Sequence, residues 1–264
     1  TSLNGTIFDK TVAHGYFILS AAAGLFVSGK KGPVIANYGL ENANFFKPVY
    51  AGDTITVYLT AKERINKGVK GRNIPSGVVK WLVEVVNQRE ETVCVATILT
   101  LVAKKSPFIK IDYKDFAKRL NNLTEKSIPN WGRMKAQEML EHLETTMKYS
   151  TGELETTECK TPAENLEMYQ DSLYNFRKMP KDFPAPFLED GKLPELKYKN
   201  LEEAKTHFIE SVKNYQIYYR ENPEAEHLHF VFGTLNKEMM ELFHQKHVTH
   251  HFEQFGLIEC ILQR

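Results

Sequence analysis

The stretch that decides the fold of the N-terminal half spans residues 12–27 and reads VAHGYFILSAAAGLFV. Its small and apolar residues cover every side of a helix and leave no polar face. A helix of this kind must be buried on most sides. We therefore expect it to lie at the centre of a domain, with the rest of that domain built around it.

Strand patterns follow this helix along the chain. Apolar and β-branched residues, which favour strands, recur in four runs at residues 34–46, 54–63, 78–88 and 92–103. Turn-forming residues such as Gly52 and Asn87 occupy the connections. One buried helix followed by four long antiparallel strands is the order expected of a sheet wrapped around a central helix.

The composition changes near Ser106 and Pro107, and we place a domain boundary there, between residues 1–105 and 106–264. The second part is rich in Met, Leu, Glu and Lys, which favour helices. Helix caps and apolar periodicity predict a short helix at 113–120 and four main helices near 134–149, after 161–164, after 200 and at 237–255. A long proline-rich crossover separates the second and third main helices. The sequence therefore predicts an α+β protein in which an all-α four-helix bundle follows the sheet domain.

The overall composition excludes several classes of partner. The chain carries 34 basic and 33 acidic residues, a formal net charge of +1, so no global attraction to nucleic acid or to an anionic membrane is implied. No apolar run approaches the roughly 18–20 residues of a membrane span. The three cysteines are far apart, which indicates a reducing compartment rather than a disulfide framework. We expect a cytoplasmic protein.

Five motifs of the first half, taken in order, resemble those of a known protein family. They are VAHGYF at 12–17, ANYGLEN at 36–42, FKPVYAGD at 46–53, EVVNQ at 84–88 and LTLVAK at 99–104. The series resembles the C-terminal hydratase domain of the PaaZ-type bifunctional proteins of phenylacetate degradation, which belong to the MaoC-like hot-dog hydratases. The resemblance implies a partial hot-dog domain, water addition to a CoA thioester with hydrolytic opening of oxepin-CoA as the particular reaction, and assembly into a dimer or a higher homo-oligomer. It also implies an aldehyde dehydrogenase domain ahead of this one in the complete protein.

The same resemblance implies a role for Gly15, and the residue pattern adds three further candidates. Gly15 matches the family's oxyanion donor, because a backbone N–H at a helix N-terminus stabilises negative charge on a thioester oxygen. A glycine there also lets the thioester approach the backbone closely. The polar residues Asn37, Tyr38 and Asn42 stand in an apolar run and are candidates for the lining of the substrate pocket. Ordinary strand and bulge polarity is the alternative explanation for these three.

The family's general base is an Asp-x4-His pair that lies upstream of the helix start. Asp9 and His14 have this spacing, but His14 already belongs to the helix-start motif. We therefore interpret the two residues as structural rather than catalytic. Because the chain begins at Thr1 without a methionine, we expect it to be a piece of a longer protein in which the acid–base pair precedes Thr1.

Three motifs of the second half resemble the metal-binding helices of DinB-like bundles. They are WGRM at 131–134, EMLEH at 138–142 and KHVTHHFEQFG at 246–256. The resemblance implies a metal site formed by His142, His247 and His251. Histidines four residues apart lie on one helix face, a third ligand from another helix leaves positions open for water or substrate, and imidazole suits zinc or nickel. A polar helix end is the alternative explanation for the crowded histidines.

Together these features favour an enzyme of CoA-linked aromatic catabolism, with a hydratase domain, an acyl-CoA substrate and a metal-binding bundle. A first alternative is a non-catalytic module for assembly or for binding a metal or partner. A second is a metal-dependent hydrolase or thiol transferase whose chemistry lies in the bundle. The acid–base pair of the hydratase family is the sequence feature that distinguishes between these three hypotheses.

Overall fold

The chain forms two compact units, the first ending at Lys105 and the second beginning at Ser106. The structure is a computed structural model. It describes residue 8 and residues 10–26, 32–67, 75–181 and 194–259. Each unit has its own hydrophobic core, so the two are described separately.

In the first unit, the part of the chain that the structure describes forms one helix and an antiparallel four-stranded sheet. Its elements are α1 (Gly15–Phe26), β1 (Val34–Phe45), β2 (Ile55–Asn66), β3 (Ser76–Asn87) and β4 (Thr92–Ala103). The strand order is β1-β4-β3-β2, so β1 and β2 form the edges among the described strands. The predicted fold class, a helix with an antiparallel sheet followed by further helices, is confirmed.

Helix α1 packs one face onto the sheet. Ile18, Leu19 and Ala22 are buried there in a core shared with strand residues such as Val83 and Val85. The expectation that the helix is buried on most sides is wrong for the described residues. The side chains of three residues on its other faces are more than 60% exposed, because the described sheet covers the helix from one side; they are Tyr16, Phe17 and Leu25.

The described residues of the second unit form five helices and a short hairpin. Its elements are α2 (Tyr113–Leu120), α3 (Ala136–Ser150), α4 (Ala163–Tyr174), α5 (Leu201–Glu221), β5 (His227–His229), β6 (Gly233–Leu235) and α6 (Lys237–Gln254). Phe116, Phe208 and Phe252 come from α2, α5 and α6 and are fully buried in contact with one another. They bring three helices to one core. Among the described helices, none combines the length and apolar character that crossing a bilayer requires.

The helix caps agree with the sequence at two positions and differ at a third. The side chains of Asn200 and Asn236 accept the N–H groups of Glu203 and Met239, and so cap α5 and α6 as predicted. The prediction of a capping box at 161–164 is wrong. Helix α4 begins one residue later, with Pro162 in the cap position and no side-chain cap.

The β5–β6 hairpin is an element that the sequence did not predict. Its histidines have defined partners: the His227 Nε2 atom lies 2.8 Å from the Tyr218 hydroxyl, and the His229 Nδ1 atom accepts the N–H groups of Val231 and Phe232 at 3.0 and 3.3 Å. Because His229 uses its Nδ1 lone pair in this way, the hairpin turn requires a neutral ring.

The hairpin should make the second unit less stable in acid. Burial lowers the pKa of His229 from 6.5 to about 4. The unfolded chain therefore binds more protons in this window, and the free energy of unfolding falls as the pH drops from 6.5 towards 4. Since one pKa unit corresponds to about 1.4 kcal/mol, and His229 is only partly buried, we expect it to contribute a loss of about 1–2 kcal/mol between about pH 7 and pH 5.

Urea unfolding at the two pH values measures this loss. In His229→Asn the amide oxygen can accept the same N–H groups without titrating, so the difference between the two pH values should shrink. An undiminished difference in this variant would show that other groups produce the acid sensitivity.

Candidate functional site

Three histidines from two helices meet at one point in the second unit. His142 lies on α3, and His247 and His251 lie one turn apart on α6. The Nε2 atom of His247 is 2.9 Å from that of His142 and 3.2 Å from that of His251, and each ring offers a ligand atom within 4.8 Å of the other two. The structure thus brings together all three histidines that the sequence pointed to.

The apolar pattern of the two helices produces this placement. On α3, Leu140 and Leu143 are fully buried and flank His142; on α6, Val248 and Phe252 are fully buried beside His247 and His251. Anchoring these faces in the core turns the histidines of both helices towards each other. His247 and His251 are 8% and 7% exposed, whereas His142 is only partly buried. His142 is therefore the most exposed member of the group.

Burial keeps these rings in their neutral form. It lowers the pKa of His142 to about 4, with a smaller contribution from His250. Burial, followed by repulsion from neighbouring histidines, also holds the pKa values of His247 and His251 well below their usual range. Near neutral pH each ring therefore carries one nitrogen lone pair, and this is the form that binds a metal.

The donor set fits a divalent transition metal. Zinc–nitrogen bonds of about 2.0–2.1 Å in tetrahedral geometry place two ligand atoms about 3.3 Å apart, close to the Nε2 separations of 2.9 and 3.2 Å. Imidazole nitrogens suit zinc or nickel better than calcium or magnesium, which take oxygen ligands. Three protein ligands leave at least one position for water or substrate.

Polar and aromatic neighbours surround the group. The His251 Nδ1 atom lies 2.8 Å from the side-chain oxygen of Gln254, and Phe243 stacks on His247 with ring centres 5.1 Å apart. His250 lies edge-on to His251 at 5.1 Å, and Trp131 lies edge-on to His250 at 5.5 Å. Sequence reasoning missed Gln254, although its spacing of three residues from His251 on a helix was a signal that could have found it.

In the first unit, Gly15 begins α1, as the helix-start motif indicates. A Cβ atom at this position would lie 2.7 Å from the Phe45 ring, so any larger residue here requires that half-exposed ring to move. His14 is exposed, and its Nδ1 atom accepts the N–H of Tyr16 at 3.3 Å, which makes it a helix cap. Asp9 lies outside the described residues.

The three candidates for the pocket lining lie on edge strand β1, and all are exposed. The Tyr38 hydroxyl is 2.5 Å from the Lys67 ammonium, which also lies 4.0 Å from the centre of the Tyr38 ring. Asn42 has a φ of 51° and falls where the register of β1 against β4 shifts. This bulge position is compatible with strand and bulge polarity at Asn42, and the pocket role of Asn37, Tyr38 and Asn42 stays a prediction.

Comparisons with known proteins find family models that match parts of both units. Residues 3–84 match a family model described as "MaoC like domain". The first unit contains a MaoC-like hot-dog domain. Residues 177–256 match a second family model, described as "Protein of unknown function (DUF1569)". This second match includes His247, His251 and Gln254, whereas His142 lies before it. The PaaZ-type assignment and the DinB-like resemblance stay predictions.

Individual relatives also match the MaoC-like domain. The chain is 58% identical over 62 residues to "Protein MaoC" of Klebsiella aerogenes, a match that covers 24% of this chain and 18% of that protein. A solved structure of a monoamine oxidase regulatory protein from Archaeoglobus fulgius is 36% identical, with 38% of this chain and 66% of that chain covered and a TM-score of 0.34. A MaoC-like dehydratase from Rhodospirillum rubrum is 20% identical, with 38% and 68% covered and a TM-score of 0.33. The chain thus spans less than a fifth of the length of the curated relative that it matches.

Proposed function

We propose that the second unit binds one divalent transition metal, zinc or nickel, through His142, His247 and His251. The convergence of their Nε2 atoms in a largely buried site supports this proposal. A metal held by these residues would supply a Lewis acid and would lower the pKa of a water molecule bound to it. The protein side chains hold the ligand geometry, and the buried rings of His247 and Phe243 limit the access of water from the core side.

We propose further that this centre performs metal-dependent chemistry of the hydrolase or thiol-transferase class, as in DinB-like bundles. The partial exposure of His142 supports it, because a substrate can reach the group from that side. A site used only to stabilise the fold commonly has four protein ligands, whereas three histidines meet here.

For the first unit we propose acyl-CoA binding, with the Gly15 N–H group as oxyanion donor. In this proposal the complete protein is a PaaZ-type enoyl-CoA hydratase and oxepin-CoA hydrolase of phenylacetate catabolism, with a preceding aldehyde dehydrogenase domain. The MaoC-like domain supports the class of reaction. The free thiols of Cys94 and Cys159 support a reducing, cytoplasmic location.

We also propose that the first unit pairs with a second copy of the chain. Edge strand β1 exposes apolar side chains such as Val34, Ile35 and Leu40, and α1 exposes Tyr16 and Phe17. An uncovered strand edge with apolar side chains is a ready surface for association, and most homo-oligomers form through such self-complementary patches.

The metal proposal predicts one equivalent of bound metal. Untagged chain equilibrated with zinc or nickel near neutral pH should retain about one ion per chain when measured by mass spectrometry, because three neutral imidazoles converge there. His247→Ala or His251→Ala should remove most of it. His207→Ala is the matched control, since His207 stacks on Tyr198 instead. Metal-free wild-type protein, or equal loss in the control, would contradict the proposal.

The hydratase proposal predicts weak turnover by this chain alone. Among the described residues of the first unit, His14 is the only histidine, and it caps α1. The oxyanion donor therefore lacks a separate histidine base there. Loss of general-base catalysis costs roughly 10²–10⁴-fold in rate. Spectrophotometric hydration of crotonyl-CoA, compared with a complete MaoC-like hydratase, measures the deficit. Rapid turnover that His14→Ala abolishes would assign the base to His14.

The association proposal predicts a dimer or larger species in solution. Light scattering after size exclusion should give at least twice the monomer mass of 30.4 kDa. Leu40→Lys should shift the population towards monomer, because it places a charge on the apolar edge. Ile128→Lys is the control, since Ile128 is 85% exposed in the second unit. A monomeric wild-type chain would exclude this interface.

A further inference from the structure

Gln254 is held at both ends of its side-chain amide. It lies three residues after His251 on α6 and is 4% exposed. Its oxygen lies 2.8 Å from His251 Nδ1, and its nitrogen donates to the backbone oxygen of Trp131, also at 2.8 Å. Both hydrogen bonds have good lengths, so the amide links the metal centre to the loop before α3.

The chemistry of these atoms leaves a single arrangement of protons. A backbone carbonyl can only accept, so the Gln254 atom facing Trp131 must be the NH₂ nitrogen. The amide oxygen then faces His251, and because it can only accept, His251 Nδ1 must carry the ring hydrogen. A neutral imidazole has one N–H. The Nε2 atom of His251 therefore presents its lone pair towards His142 and His247.

The loop that carries the Trp131 carbonyl is itself fixed to the end of α6. The Asn130 N–H donates to the backbone oxygen of Gln254 at 2.7 Å, and the Asn130 side-chain NH₂ donates to that of Glu253 at 3.0 Å. The Glu253 carboxylate in turn pairs with Lys178 at 2.6 Å. The two Asn130 bonds satisfy carbonyls at the C-terminus of α6. Because they hold the loop that carries the Trp131 carbonyl, the backbone determines how the Gln254 amide is oriented.

His247 does not have the same support. The Nδ1 atom of His247 is buried and makes no hydrogen bond within the part of the chain that the structure describes. Two carboxylates near His142 on α3 accept backbone N–H groups: Glu138 accepts that of Lys135, and Glu141 accepts that of Lys197. The amide of Gln254 therefore distinguishes His251 from His247 on the same helix.

We infer that Gln254 is a positioning residue for His251. It fixes the ring orientation and the Nδ1–H tautomer, and so presents Nε2 as a ligand before any metal binds. The effect on metal affinity rests on the proposed function, whereas the tautomer does not. Groups that orient ligands in this way typically change metal affinity 10–100-fold when they are removed.

The tautomer is measured first, in metal-free protein. Long-range ¹H–¹⁵N correlation spectra of the chelator-treated full chain at mildly alkaline pH distinguish a protonated Nδ1 from a protonated Nε2. Wild-type His251 should show the Nδ1–H form. Gln254→Leu should lose this preference, while Gln254→Glu should keep it, because a carboxylate also accepts from Nδ1. Gln245→Leu is the matched control, since the Gln245 amide lies on the same helix and donates to Glu241.

Zinc affinity is measured next, by competition with a chromophoric chelator. Gln254→Leu should bind zinc about 10–100-fold more weakly, with Gln254→Glu and Gln245→Leu close to wild type. An Nε2–H tautomer of wild-type His251, or a tautomer that Gln254→Leu leaves unchanged, overturns the inference whatever the zinc result. A chain that binds no zinc but shows the expected tautomers refutes the proposed metal function and leaves the inference standing. If Gln254→Leu does not fold, Gln254→Met replaces it, and the wild-type tautomer still decides.

Discussion

Burial of α6 on nearly all sides is the constraint on which the second unit depends. The helix places polar side chains in the interior beside apolar ones, and a buried polar group costs about 1–3 kcal/mol unless it finds a partner. Neighbouring segments supply partners for several of these groups. Lys246 donates to the backbone oxygens of Ser172 and Arg177, and Thr249 accepts the N–H of Ile109. The loops around α6 are therefore shaped by the polar atoms that the helix carries inwards.

This constraint also explains the electrostatics of the region. Burial lowers the pKa of Lys246 to about 8, and its ammonium is stabilised by carbonyl oxygens and by the Phe108 ring, whose centre is 5.0 Å away. The buried histidines, in contrast, remain neutral. Helix α6 thus carries the Lys246 ammonium, which carbonyl groups hold. The next residue, His247, is the first of two uncharged imidazoles that face His142.

The sequence predicted those features that depend on local pattern. Strand runs, the caps at Asn200 and Asn236 and the spacing of His247 and His251 follow from neighbouring residues, and the structure contains them. It could not predict the β5–β6 hairpin, whose three-residue strands are too short for a periodic signal. The bond between Gln254 and Trp131 joins residues 123 positions apart, and no local pattern encodes such a pairing. The exposure of α1 was misjudged because helix composition indicates a need for burial without showing how many sides the partner covers.

The ligand helices have a consequence for how the second unit responds to its surroundings. His142 and His247 are 105 residues apart in the chain, so an ion held between them would tie α3 to α6 as a reversible cross-link. A ligand that binds only the folded state stabilises it by about 2.7 kcal/mol when its free concentration is 100 times the Kd. Such an increment is a large fraction of the 5–15 kcal/mol typical of a folded domain. The lifetime of this protein in a cell, and hence its amount, would then rise and fall with the supply of that ion.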